Sequence, residues 1–261
     1  DGREIIEFCE KFQKKAPLVV VPSAYAHVTE QEFQDLGVNI NFSLLQKVEG
    51  KFTLAPCIGG VGKFICIGLN YFDHAKEIGM QAPSEPIIFL KATSAISGPN
   101  DDIIMPKNSQ KMDWEVELGI IIGTTAKYID KTESQNHIAG YCVINDISER
   151  DFQLKRLGQW TKGKSCDTFG PIGPYCVTKD EIKNPQNLNI WLDLNGKRMQ
   201  NESTATMIFG VNYLVSYLSQ FMSLYPGDII STGTPSGVGM SFDPKIFLKR
   251  GDILELGIEG L

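Results

Sequence analysis

Residues 113–118 read DWEVEL, with carboxylates on alternate positions and Trp114, Val116 and Leu118 between them. In a β-strand the period of two sends Asp113, Glu115 and Glu117 to one face and the apolar residues to the other. Such a strand either presents a solvated acidic face or aims its carboxylates at something positive. The stretch continues as GIIIG (119–123), so that VELGIIIG reads as one of the chain's short β-rich runs.

Around it the chain is rich in short β-like runs, among them KFICIGL, PIIFLKA, IAGYCVIN, LNIWLDLNG, DIISTG and DILELGIEG. Gly, Pro and Asp turn signals separate them. Helical patterns are few: one after Asn70, one over about 148–157 and one over about 207–221. This mixture predicts an α+β, β-dominated fold rather than a doubly wound one. Amphipathic spacing at 2–14 and a capped pattern at 29–37 precede a Pro/Gly cluster at 56–63. A domain boundary is expected there, with a small N-terminal domain at 1–62 and a larger domain at 63–261.

The 261 residues carry a net charge of -6, with no Lys/Arg run, which argues against a nucleic-acid partner. Six scattered cysteines without a CxxC pair read as reduced thiols. No apolar run is long enough for a membrane span. The chain opens DGREII, with neither Met nor a signal-peptide core. A cytoplasmic protein is expected, or a mitochondrial one if a targeting segment preceded residue 1.

Several constellations carry chemistry. Asp146, in GYCVINDISERD, ends an apolar run, where an unpaired charge is costly. It reads either as a helix N-cap or, with Glu115 and Glu117, as the third member of an oxygen ligand set. Hard carboxylates without His or Cys point to Mg²⁺, Mn²⁺ or Ca²⁺ rather than zinc. Arg150 and Gln153 share one helix face, which is either solvated or turned toward that acid. Lys164, flanked by Gly163 in WTKGKS, is expected in a loop, where a lone lysine is usually a surface charge. His74 and Glu77 stand three apart on a short helix, a spacing that lets a carboxylate hold an imidazole poised as a general base. Two exposed helical residues would look the same. Thr232, Gly233 and Thr234, in STGTPSGVG, form either a plain turn or an anion-binding loop without a Walker signature.

In order and spacing, GLNYFDHAKE, PIIFLKATSAISGP, DWEVELGIIIG, GYCVINDISERDFQ, WTKGKSCDTFGPIGP, LNGKRMQ, LYPGDIISTGTPSGVG and KRGDILELGIEGL resemble signature blocks of the fumarylacetoacetate hydrolase superfamily. The resemblance covers roughly residues 63–261 and is nearest to the domain-containing, type-2-like branch. It implies a rolled mixed β-sandwich, a homodimer and a Mg²⁺ or Mn²⁺ site. Residue by residue, it implies Glu115, Glu117 and Asp146 as metal ligands, with His74, Glu77 and Lys164 as the catalytic groups. Thr232, Gly233 and Thr234, with Arg150 and Gln153, would contact substrate. Asp113 is expected outside the ligand pair, behind it or at the surface.

Three carboxylates around a divalent cation leave a charge of about -1 before an anionic substrate arrives, so Lys164 and Arg150 make electrostatic sense there. The function implied is a metal-dependent hydrolase or lyase of a small 2-oxo acid, of acylpyruvate or fumarylpyruvate type. It would break a carbon–carbon bond through a metal-stabilised enolate. Oxaloacetate decarboxylation, keto–enol tautomerisation and ureidoglycolate cleavage are alternatives on the same site, and a non-catalytic metal- or anion-binding member is a further one.

Overall fold

The alternation in DWEVEL leads into a strand buried on both faces. In the computed structural model, which describes residues 53–261, every residue of the Val116–Ile122 strand is buried. It lies inside a six-stranded mixed sheet whose order is Ile87–Lys91, Phe64–Gly68, Ile229–Ser231, Val116–Ile122, Ile138–Asn145 and Val177–Thr178. Only the pairing of Phe64–Gly68 with Ile229–Ser231 is parallel in this sheet. An antiparallel three-stranded sheet, Lys197–Ser203, Asn189–Leu194 and Leu254–Ile258, forms a second layer. The fold is thus β-dominated with mixed sheets, as expected, and the described residues form no closed barrel.

Parity sorts the central strand between two cores. Val116, Leu118, Ile120 and Ile122 pack with Ile190 and Leu192 of the second sheet and with Leu214 and Leu218 of the Val211–Phe221 helix. Ile121 faces the opposite way, toward Phe64, Cys66, Cys142, Ile144 and Ile229. Gly119 shares that second face, where a Cβ would come within 2.6 Å of Cys142 Sγ and Ile144 Cδ1. Glu117 has the same parity, so the carboxylate sits at the end of a buried face rather than on a solvated one.

The helices differ in detail from expectation. The expected 148–157 segment divides into a Ser148–Glu149 strand, paired with Met112–Asp113, and an Arg150–Leu154 helix. The third helix begins at Val211 rather than near 207. Lys164 is not in a loop: it closes a short Thr161–Lys164 helix and is buried. Gly163 explains how, because a Cβ there would lie 2.4 Å from the Gln153 nitrogen and 2.5 Å from the Glu149 oxygen. Only glycine lets this turn press against the neighbouring helix, and that contact carries Lys164 inward.

The cysteines among the described residues are all free. No described helix is long and apolar enough to cross a membrane. The patterns at 2–14 and 29–37, and most of the expected 1–62 domain, lie outside the described residues.

Leu118 is fully buried in the core shared by both sheets. Leu118→Ala is expected to lower unfolding stability by about 2–5 kcal/mol, read from the urea midpoint at unchanged m-value.

Candidate active site

Strand register brings the acids together. Val116 pairs with Asn145, so Glu115 and Asp146 leave their strands side by side, and the Asp146 nitrogen donates to the Glu115 carbonyl at 2.8 Å. Glu115, Glu117 and Asp146 are 5%, 1% and 0% exposed. Each offers one oxygen to a group whose members all lie within 4.8 Å of one another.

Three cations are buried with them. Lys164 Nζ lies 2.6 Å from Glu115 Oε2 and 2.8 Å from Asp146 Oδ2. Lys91 Nζ pairs with Asp146 Oδ1 and donates to the Ile147 carbonyl at 3.1 Å. Arg150 donates from Nε to Asp113 Oδ2 at 2.8 Å and from Nη1 to Gln153 Oε1 at 3.0 Å. Its Nη2 also lies 2.8 Å from Glu115 Oε1, close enough for an ion pair but not aligned as a hydrogen bond. Glu117 differs from the other acids, since its Oε2 accepts from Ser231 Oγ at 2.6 Å and the Gly233 nitrogen at 2.8 Å, with no ion pair among the described residues.

These environments separate the carboxylates electrostatically. Burial pushes the Glu115 pKa up, but Lys164 and Arg150 outweigh it and hold the group at about 2. Burial, and then the negative charges of Asp146 and Glu115, push Glu117 well above the usual carboxylate range. Burial disfavours the Lys164 ammonium, yet Asp146 and Glu115 overcome it and raise its pKa.

The donor set fits a hard divalent cation. All three donors are carboxylate oxygens, and the one without a cationic partner is strained by its negative neighbours. With Glu117 ionised, as a bound cation would require, Asp113, Glu115, Glu117 and Asp146 set against Lys91, Lys164 and Arg150 carry one negative charge in excess. A divalent cation would turn that excess into one positive charge, suited to an anionic ligand.

The Phe72–Glu77 helix supplies a further pair. His74 Nδ1 lies 2.8 Å from Glu77 Oε1, which leaves Nε2 as the ring nitrogen free of this bond. Glu77 also accepts from the Gly237 nitrogen at 3.1 Å and Ser241 Oγ at 2.9 Å. Burial raises the Glu77 pKa, but the hydrogen bonds from His74, Gly237 and Ser241 prevail and leave it lowered. His74 is buried rather than exposed. With Glu115, Glu117, Arg150, Gln153, Lys164 and Thr234 it lines a cavity of about 100 Å³, walled elsewhere by apolar side chains such as Phe89, Leu154 and Trp160.

The glycine-rich segment divides its tasks. Thr234 reaches the cavity, whereas Thr232 and Gly233 do not line it. Thr232 Oγ1 donates to the Leu118 carbonyl at 2.9 Å and the Gly233 nitrogen is engaged by Glu117. Asp146 is no N-cap; Glu149 caps the following helix, accepting from the Asp151 nitrogen. Nor is Asp113 at the surface, because it is fully buried and accepts from Arg150 and from the Gly239 and Met240 nitrogens at 2.6 and 3.0 Å. Sequence reasoning missed Lys91. Its signal was parity, since Lys91 shares the inward face with buried Phe89 while Leu90 between them is 45% exposed.

The family model described as fumarylacetoacetate (FAA) hydrolase C-terminal matches residues 63–261. The chain belongs to the fumarylacetoacetate hydrolase superfamily. A Burkholderia ambifaria protein named "Putative hydrolase" is 56% identical over 223 residues, covering 85% of this chain and 79% of the relative. Among solved structures, the fumarylacetoacetate hydrolase of Exiguobacterium antarcticum is 34% identical with a TM-score of 0.79, over 89% of this chain and 83% of that one. The 5-carboxymethyl-2-hydroxymuconate delta-isomerase of Mycobacterium smegmatis is 37% identical with a TM-score of 0.71, over 80% and 78%. This superfamily member therefore has both hydrolases and isomerases among its structural neighbours.

Titration with Mn²⁺ tests the acidic group directly. At hundredfold excess over Kd, binding is expected to stabilise the protein by about 2.7 kcal/mol. Glu117→Gln should weaken calorimetric Mn²⁺ affinity by at least about 10–100-fold, the range typical of losing even a group behind the ligands, and suppress the gain in Tm.

Proposed function

We propose that the protein is a divalent-metal-dependent enzyme acting on a small 2-oxo acid, hydrolysing the carbon–carbon bond of an acylpyruvate-type substrate. One observation carries this reading: Glu115 and Glu117 of the acidic triad, Lys164 and His74 line a single cavity, with Asp146 joined to them through Lys164 and Glu77 bound to the imidazole. Glu115, Glu117 and Asp146 would hold Mg²⁺ or Mn²⁺. When bound, the ion would supply Lewis acidity toward the carboxylate and 2-oxo oxygens of the substrate.

The chain's own residues account for the rest. Arg150 is turned into the cavity, and the Gln153 amide nitrogen is left for a substrate carboxylate once Oε1 has accepted from Arg150. Glu77 fixes the imidazole through Nδ1, so Nε2 takes a proton from water as the oxygen attacks the distal acyl carbonyl. The bond between that carbon and the neighbouring methylene then breaks, leaving its electron pair on the methylene carbon. Lys164 Nζ stabilises the oxyanion charge, and the proton held on His74 returns to the methylene. The products are a carboxylic acid, which gives up the remaining water proton to solvent as it ionises, and pyruvate, with water as the only co-reactant.

A second reading has its own support. Two solved relatives are named as isomerases of unsaturated hydroxy acids, 2-hydroxyhepta-2,4-diene-1,7-dioate and 5-carboxymethyl-2-hydroxymuconate. Keto–enol tautomerisation of a small 2-oxo acid needs a proton shuttle at the same place and no attacking water, and His74 or Lys164 could serve.

An NMR-followed panel of acylpyruvates, fumarylpyruvate, oxaloacetate and ureidoglycolate with Mg²⁺ or Mn²⁺ separates these outcomes. Pyruvate and a carboxylate mark hydrolysis, and solvent deuterium without cleavage marks tautomerisation. His74→Ala is expected to lose hydrolysis by about 10²–10⁴-fold while retaining any decarboxylation of oxaloacetate. Equal loss of both would refute the assigned role of His74.

A further inference from the structure

We infer that residues 237–241 form a strap that positions His74 from a distance, with Ser241 as its positioning side chain acting through Glu77. The kinetic arm of the test rests on the reaction proposed above; the geometry does not.

A helix of six residues has little stability of its own, because the nucleation cost is repaid by too few hydrogen bonds. The Phe72–Glu77 helix has that length, its N-cap makes no side-chain bond, and Phe72 at its start is exposed. Where His74 points is therefore decided by what grips the helix from outside. The polar grip falls on Glu77. Beyond His74 itself, its carboxylate accepts from the Gly237 nitrogen and from Ser241 Oγ.

The same five residues are anchored on their other side. The Gly239 and Met240 nitrogens converge on Asp113 at 2.6 and 3.0 Å, and Trp114 Nε1 donates to the Gly237 carbonyl at 3.1 Å. Asp113 in turn pairs with Arg150, which lies against Glu115. One short segment thus bridges the carboxylate of the imidazole pair and the acid beside the ligand group. Its path tolerates no side chain at two points. Gly237 has φ +100, and a Cβ there would lie 2.0 Å from the Met199 carbonyl oxygen. A Cβ on Gly239 would meet the Ile246 carbonyl oxygen at 2.1 Å and Asp113 Oδ1 at 2.8 Å. The strap is fixed by packing at its start and at its middle, so its contacts to Glu77 are pre-organised.

Ser241 is the one side chain of the strap that reaches Glu77. Its hydroxyl has a single hydrogen and two acceptors in range, Glu77 Oε2 at 2.9 Å and the Val238 carbonyl at 2.7 Å. The carboxylate is charged and forms the stronger bond. Removing the hydroxyl leaves Glu77 held only by the Gly237 nitrogen and His74, free to swing with the helix end.

The experiment compares Ser241→Ala and Ser241→Thr in the full chain with Mn²⁺ or Mg²⁺. Ser241→Ala is expected to lower kcat about tenfold, the scale of one hydrogen bond to a charged group, with KM changed less than about twofold. Tm and calorimetric Mn²⁺ affinity should stay at wild-type values, and Ser241→Thr should restore kcat. An independent readout is the downfield proton resonance of the His74 Nδ1–H, assigned by its loss in His74→Ala. It should be present in wild type and Ser241→Thr and broadened or lost in Ser241→Ala. The inference is overturned if Ser241→Ala keeps both kcat and the resonance, or if kcat, Tm and metal affinity fall together and threonine restores none of them. If wild type turns over no 2-oxo acid, the proposed reaction is wrong, and the resonance alone then decides for or against the strap.

Discussion

Four carboxylates and three cations withdrawn from water at one place are the constraint on which this protein's architecture turns. Asp113, Glu115, Glu117 and Asp146 are buried with Lys91, Lys164 and Arg150. An unpaired charge there would cost several kcal/mol, so every partner must be delivered with good geometry. The partners come from widely separated parts of the chain. Lys91 ends a sheet strand, Lys164 ends a short helix, and Arg150 opens another. The sheet order and the glycine contacts that set these elements in place are the means by which the charges are paired.

Pairing is incomplete at one member, and that incompleteness gives the site its character. Glu117 is satisfied by a hydroxyl and a backbone N–H but makes no ion pair among the described residues, while burial and the charges of Asp146 and Glu115 outweigh the attraction of Lys164. A group of charges balanced for structure alone would not leave one carboxylate in that condition. The arrangement suits a divalent ion, and with it an anionic ligand, on a fold whose relatives include hydrolases and isomerases.

Much of this was legible from residue types and their spacing. Strand parity put Glu115 and Glu117 on one face, and the apolar lead into Asp146 marked a carboxylate in need of a partner. The three-residue spacing of His74 and Glu77 suggested the pair that the helix holds at 2.8 Å. Parity also held the clue to Lys91, hidden because a lysine at a strand end is usually solvated. Lys164 was harder. Its burial depends on Gly163 pressing against the backbone at Gln153 and Glu149, a contact invisible in local sequence. Thr232 and Thr234 look equivalent in the chain, yet only the latter reaches the cavity.

By itself, then, the order of residues determined which side chains could share a face, because periods of 2 and 3.6 are properties of the local backbone. It also indicated a β-dominated fold class and placed Glu115 and Glu117 on one face, whereas Asp146 stood between a helix cap and a third member of the set until the family resemblance was weighed. Only the tertiary structure decided what each acid faces. Asp113, Glu115 and Glu117 have one parity but meet three environments: a strap of backbone amides with Arg150, ion pairs to two cations, and hydrogen bonds from a hydroxyl and a backbone N–H. Those differences arise from strand register and from glycine-permitted close approaches between distant segments, and no local periodicity encodes them.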